Sequence, residues 1–393
     1  MSSDPVVILA ARRTPVGAFQ GVFAGVTAPQ LGSVAIKAAL ADAGLAASDV
    51  DEVIMGCVLS AGLGQAPARQ AALGAGLPAS TPATTVNKMC GSAMRAVMLA
   101  SDQILAGSAR VIVAGGLESM TNAPYLLPKA RAGYRMGNQE VLDHMFFDGL
   151  QSPWDGQLMG CFAEATSAKY GFTRKAQDDF ASESARRAQT AVASGAFAQE
   201  VAPVTAKTRK GEALIDKDET PSTLDVSKIP SLKAAFKKDG TVTAASSASI
   251  SDGAAAVVLA RDSWCKTRGL KPLARVAGYS SFAREPEWFT LAPVGAIQKL
   301  LTQLEWRAAD VDLYEVNEAF AVVAMAAIKD LELDHAKVNV NGGACALGHP
   351  IGATGARILA TLIYALKNRG KKRGIASLCI GGGEATAIAV EII

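Results

Sequence analysis

Charge of one sign is nearly absent as a surplus. Lys and Arg number 39 and Asp and Glu 36, a formal net charge of +3. No long basic block is present, which argues against a nucleic-acid partner. The run from Lys367 to Arg373 is short and interrupted, and reads as a solvated loop. No apolar stretch reaches the roughly 18 residues of a membrane helix, so no membrane span is expected. Val6-Val7-Ile8-Leu9 is soon followed by Arg12 and Arg13, so it reads as a first strand and not as a signal peptide. Histidine is scarce, with only His144, His335 and His349. Six cysteines in 393 residues match neither a disulfide scaffold nor a zinc cluster. A reducing, cytoplasmic setting is the expectation.

Apolar residues make up 50% of the chain and Gly numbers 37, a mixture suited to packed α/β layers. Two stretches echo one another. The first runs from Ser48-Asp49-Val50-Asp51 through Thr85-Val86-Asn87 and an apolar segment 93–106 to Val111–Gly116. The second runs from Ala309-Asp310-Val311-Asp312 through Val338–Asn341 and a segment 354–366 to Ile375–Gly382. Ala93, Val97, Ala100 and Ile104 form one helical stripe, and Gly107 supplies a stop. Leu359, Leu362, Ile363 and Leu366 form another. The repeat predicts a duplicated α/β unit whose short strands enclose a central helix layer. Expected boundaries are 1–118 and 246–271 for the N-terminal half, 119–245 for an inserted loop domain covering an active site, and 272–393 for the C-terminal half. The stretch 271–287 reads as linker-like, and 178–193 as a helix within the insertion.

Three separated segments carry the chemistry. Cys90 lies between a short strand and a long helix, where the positive helix end favours a thiolate. Lowering a free thiol's value of about 8.5 by one unit corresponds to about 1.4 kcal/mol. His349, in Gly348-His349-Pro350, is placed to take the Cys90 proton and hold an ion pair. Cys379 ends a strand before Gly381-Gly382-Gly383 and offers a second proton-transfer group, with glycine N–H groups for an oxyanion. Asn317 suits a water or amide near a thioester oxygen, and Glu318 suits orienting His349 or capping the next helix. Each of these types also occurs as plain packing, most of all buried cysteine.

Asn87-Lys88-Met89-Cys90, Asn317-Glu318-Ala319-Phe320, Gly348-His349-Pro350 and Cys379-Ile380-Gly381-Gly382-Gly383 together resemble the motifs of the thiolase family, in order. Arg13-Thr14-Pro15 and Gly240-Thr241-Val242-Thr243-Ala244 also match. The resemblance covers essentially the whole chain. It implies an α/β, duplicated thiolase-like fold, a layered α-β-α-β-α core with an inserted loop domain, assembled as a homodimer or a homotetramer. It implies ping-pong acyl transfer through Cys90, helped by His349, with Cys379 handling the α-proton of the second acyl-CoA. Coenzyme A and acyl-CoA are substrates, with no tightly bound cofactor and no metal. By the same resemblance, backbone N–H groups of Cys90 and Gly382 form an oxyanion hole. Ser246, Ser247, Ser249, Leu158 and Met159 contact coenzyme A, and Met159, Phe289 and Phe320 line the acyl pocket. The family's usual His-Met-Gly is Leu158-Met159-Gly160 here, its Asn-Ala-Ser is Ser246-Ser247-Ala248, and its Gly-Pro is Ala292-Pro293. These departures suggest an altered acyl preference. The expected reaction is reversible condensation of two acetyl-CoA, or cleavage of short 3-ketoacyl-CoA. The alternatives are a degradative thiolase for medium or long chains and a ketoacyl-synthase-like condensing or CoA-binding protein.

Overall fold

A computed structural model describes residues 4–208 and 211–393. The N-terminal half supplies β1 (Val6–Arg13), α1 (Ala28–Ala43), β2 (Glu52–Gly56), α2 (Pro67–Gly74), β3 (Ala83–Val86), α3 (Ser92–Ala106), β4 (Val111–Ser119) and, after a long excursion, β5 (Ser251–Arg261). The excursion holds α4 (Met159–Tyr170), α5 (Arg174–Ser194) and two small two-stranded ribbons. The C-terminal half supplies β6 (Ala274–Ala283), α6 (Ala292–Leu304), β7 (Leu313–Val316), α7 (Ala321–Asp330), α8 (Thr354–Asn368), β8 (Arg373–Ile380) and β9 (Glu384–Ile392).

The long strands hydrogen-bond in the order β7-β8-β9-β6-β1-β5-β4-β2-β3. Strands β2, β3 and β4 run parallel, as do β7 and β8, while β5 and β9 return antiparallel. The duplication is therefore visible in the pairing. Within the large sheet the two halves pair through Val7–Arg275 and Ile8–Ala274. Alternation along each strand sends one set of side chains to a central core and the other outward. Ile54, Ile112 and Leu259 meet Ala376, Leu378 and Ile388 around α3 and α8 in the central core. Val53, Met55 and Val113 face α1 and α2, and Tyr314, Val316 and Ile375 face α6 and α7. This is the layered α/β arrangement expected from the repeat.

Helix α8 is buried on every side from Thr354 to Leu366, as befits a helix between layers. Removing each of Ile358, Leu359, Leu362, Ile363 and Leu366 from water stabilises by about 1.5–3 kcal/mol. Gly107, at φ 79°, closes α3 in the left-handed conformation. Two expectations change. The linker-like 271–287 contains β6, whose partners β1 and β9 lie far away in sequence. The expected strand at Val338 is reduced to one bridge with Tyr314, because Asn339 (φ 49°) turns the chain and bonds both backbone groups of Val316. Among the described residues, no helix is long and apolar enough to cross a membrane.

Candidate active site

Cys90 sits on a tight turn between β3 and α3. Asn87 Oδ1 accepts the Met89 N–H, and Ser92 Oγ accepts the Lys88 N–H at 2.8 Å while donating to the Met89 carbonyl. Met89 is held at φ 47°, an uncommon conformation for a side chain of its size. Gly91 packs closely on β8: a Cβ there would press on the side chain of Ile380, which would have to shift. That contact brings the Cys379 segment against the nucleophile turn. Lys88 and Glu384 form an ion pair across the same junction.

The Cys90 thiol is neutral at rest. Burial pushes it up to about 11, against the pull of the N–H groups of Gly381 and Cys90 itself, and Glu118 adds a further upward push. The expectation of a helix-stabilised thiolate is therefore corrected. Cys90 precedes α3 by two residues, and the helix-end effect fades within one turn. Desolvation outweighs it. The donors that face the Cys90 sulfur are the N–H groups of Gly381 and of Cys90 itself. Gly382, at φ 95°, lines the adjoining chamber.

His349 is buried, and its Nδ1 lies 2.7 Å from Thr354 Oγ1. Thr354 donates its own proton to the Pro350 carbonyl at 2.9 Å, so it accepts from the histidine. This assigns the hydrogen to Nδ1 and leaves the Nε2 lone pair without a protein partner. Burial, aided by the positive charge of Arg357, lowers His349 to about 3. A standing thiolate–imidazolium pair is thus disfavoured, which corrects the expected ion pair. Nε2 remains a neutral acceptor, able to take a proton as the sulfur attacks.

Cys379 is fully buried at the end of β8, and burial together with the nearby Cys90 pushes its thiol well upward. It is a proton source in this state. Asn317 is buried with both amide atoms unpaired by protein, leaving them for a water or a substrate oxygen. Glu318 neither orients His349 nor caps α7. Its carboxylate accepts from Ser184 Oγ, Asn339 Nδ2 and the Cys345 N–H, tying α5 to the C-terminal half.

His349 lines a cavity of about 190 Å³ together with Leu158, Met159, Phe236, Ser247, Ala248, Ser249 and Phe320. A second cavity of about 290 Å³ lies among Met89, Phe147, Trp154, Met159, Phe162, Gly381 and Gly382. Met159 borders both. Several expected contacts move. Ser246 is buried and spends its hydroxyl on Thr243, so it faces no ligand. Ser247 lines the first cavity but donates to the Thr243 carbonyl, and Ser249 pairs with Ser251. Phe289 lines neither cavity; it packs edge-on behind Phe162 and Phe320. Thr354 was missed by sequence reasoning; a threonine five residues after a candidate histidine, at the start of a helix, was the available signal.

Residues 6–263 match the thiolase N-terminal domain and residues 270–392 the thiolase C-terminal domain. An acetyl-CoA acetyltransferase of Schizosaccharomyces pombe is 48% identical over the full length of both chains. One from Cupriavidus necator is 49% identical over 98% of this chain and 99% of its own. Among solved structures, the acetyl-CoA acetyltransferase of Bacillus anthracis superposes with a TM-score of 0.97 at 41% identity, covering 99% of each chain. A thiolase of Ascaris suum, solved in complex with coenzyme A, gives 0.94 at 42% identity, covering 99% of this chain and 100% of its own. With both domains matched in tandem and the relatives aligned end to end, this chain belongs to the thiolase family.

Proposed function

We propose that this chain is an acetyl-CoA C-acyltransferase that condenses two acetyl-CoA into acetoacetyl-CoA and coenzyme A, and runs the reverse thiolysis on short 3-ketoacyl-CoA. Cys90 Sγ attacks the thioester carbonyl while His349 Nε2 takes its proton. The C–S bond to coenzyme A breaks, and that thiolate leaves with the proton from the imidazole. Cys379 gives its proton to the imidazole of His349 and then removes an α-proton from a second acetyl-CoA. The carbanion attacks the Cys90 thioester, the acyl–S bond to Cys90 breaks, and the departing Cys90 thiolate takes the proton held by His349. The carbonyl oxygens rest on His349 with Asn317, and on the backbone N–H groups of the Cys90 and Gly381–Gly382 turns. The observation that carries this reading is the His349 tautomer: Nδ1–H is committed to Thr354, so the Nε2 lone pair is left without a protein partner and can accept a proton.

Labelled acetyl-CoA tests it. The intact enzyme should retain label on the peptide bearing Cys90, and Cys90→Ser should lose it. Cys379→Ser should keep the label yet fail to condense. Label retained by Cys90→Ser would end the assignment.

The chamber beyond Met159 favours a second reading, a thiolase for longer 3-ketoacyl chains, since it adds apolar volume next to the Gly381–Gly382 turn. Comparing acetoacetyl-CoA with an eight-carbon substrate at equal enzyme separates the two. We further infer a cytoplasmic enzyme that acts as a homodimer or homotetramer. Six unpaired cysteines suit a reducing compartment.

A further inference from the structure

Glu118 is fully buried at the end of β4, yet its two oxygens are surrounded by donors. Oε2 accepts the N–H of Val58 at 3.0 Å and the N–H of Gly352 at 2.8 Å. Oε1 accepts the N–H of Leu59 at 3.1 Å and lies 3.7 Å from Cys57 Sγ. Three N–H donors favour the carboxylate here, while burial pushes Glu118 up to about 7, so the group is largely ionised at pH 8. Three segments meet on this one group: the chain leaving β2, the end of β4, and the turn His349-Pro350-Ile351-Gly352. The nucleophile helix joins the same junction. A Cβ on Gly116 would strike the Gly352 carbonyl and come within 2.8 Å of Ala93 Cβ, so the histidine turn and the start of α3 are packed through a gap only glycine leaves open.

We propose that Glu118 is a positioning residue for the thiolase reaction, fixing the turn that carries His349 against the segment that carries Cys90. This inference rests on the roles proposed above for those two residues. It touches no reacting atom. Its reach is through the Gly352 N–H, three residues from the imidazole, and a displacement of about 1 Å at such a site costs on the order of 100-fold in rate. The carboxylate also acts at longer range. Its negative charge helps push the Cys90 thiol up, after burial itself. The titratable groups facing it are Cys57, which it pushes up as well, and Cys90.

Two variants separate position from charge. Glu118→Asp keeps the charge and withdraws the oxygens by one methylene. Glu118→Gln keeps the length, removes the charge and replaces one acceptor by a donor. Acetoacetyl-CoA thiolysis is measured at pH 8, alongside the rate of iodoacetamide alkylation of Cys90 from pH 7 to 11, mapped to its peptide. Both variants should lose roughly 10- to 100-fold in kcat while KM changes less than about threefold. Glu118→Gln should alkylate about 3- to 10-fold faster than the parent near pH 8, the advantage closing towards pH 11, because its Cys90 titrates lower. Glu118→Asp should show no such shift, and it carries the kinetic test if the glutamine variant does not fold. A folded variant with kcat within twofold of the parent overturns the proposal, as does a loss expressed wholly in KM. Alkylation raised equally at every pH indicates loosened packing and overturns the electrostatic part. Cys90→Ser run in parallel keeps the failures apart: if it still turns over, the assignment of the nucleophile is wrong whatever Glu118 does.

Discussion

Replacing Thr354 by Val removes one hydroxyl and little volume, and the structure says which protons it governs. Thr354 Oγ1 accepts Nδ1–H of His349 at 2.7 Å and donates to the Pro350 carbonyl at 2.9 Å, inside a site with no exposed Thr354 surface. In Thr354→Val both partners lose their contact in a buried environment. An unsatisfied buried donor or acceptor costs about 1–3 kcal/mol. The imidazole relieves part of that loss by moving its hydrogen to Nε2, where it can no longer accept the Cys90 proton. If the lost bond favoured the productive tautomer by about 1.5–2.5 kcal/mol, the active fraction falls roughly 10- to 70-fold. We expect kcat for acetoacetyl-CoA thiolysis to fall by about that factor, with KM changed less than about threefold. Thr354→Ser, which keeps the hydroxyl, should stay within about threefold of the parent. Steady-state kinetics on folded, purified proteins check both. Full kcat in Thr354→Val would refute the reasoning, because it would show that Nε2 stays basic without the partner on Nδ1.

Other outcomes follow from the same geometry. Alkylation of Cys90 should rise about tenfold per pH unit from pH 7 to 10, since its thiol is pushed up to about 11; a plateau near pH 8 contradicts this. Met159→Ala should join the two cavities and raise the preference for an eight-carbon 3-ketoacyl-CoA over acetoacetyl-CoA, read from the ratio of kcat/KM; an unchanged ratio contradicts the partition. Arg13 is wholly buried between Glu200, at 2.6 Å, and Asp218, at 2.7 Å. Arg13→Met leaves two buried carboxylates unpaired and should lower unfolding stability by about 3–5 kcal/mol, seen as a lower urea midpoint. His349, lowered to about 3 in the fold, contributes stability that is full above its unfolded value near 6.5 and is lost as pH falls through about 3. A His349→Gln variant should therefore lose less stability than the parent over that interval; equal acid sensitivity of the two proteins counts against a neutral buried imidazole.

Local signals carried the helices well. The stripe Ala93, Val97, Ala100, Ile104 ending at Gly107 is the helix Ser92–Ala106, and 354–366 lies in the helix Thr354–Asn368. Both periodicity and the stop are properties of neighbouring residues, so sequence shows them. Strand β6 was missed because its two pairing partners, β1 and β9, are remote in sequence and its faces are only partly buried. Ser246 looked available for coenzyme A, yet the turn from Thr243 folds back and takes its hydroxyl. Phe289 looked like a pocket wall, and it stands one ring behind.

By itself the sequence determined the inventory: two thiols and an imidazole beside glycine, a repeated α/β unit, and motifs that resemble one family. Those are written in residue type, order and spacing. Only the tertiary structure decided their charge states and neighbours. The Cys90 thiol is raised, His349 is a neutral base by way of Thr354, and Glu118 is bonded to three backbone N–H groups from two distant segments. Desolvation and hydrogen-bond partnership depend on what the rest of the chain brings alongside, and no local stretch of residues contains that information.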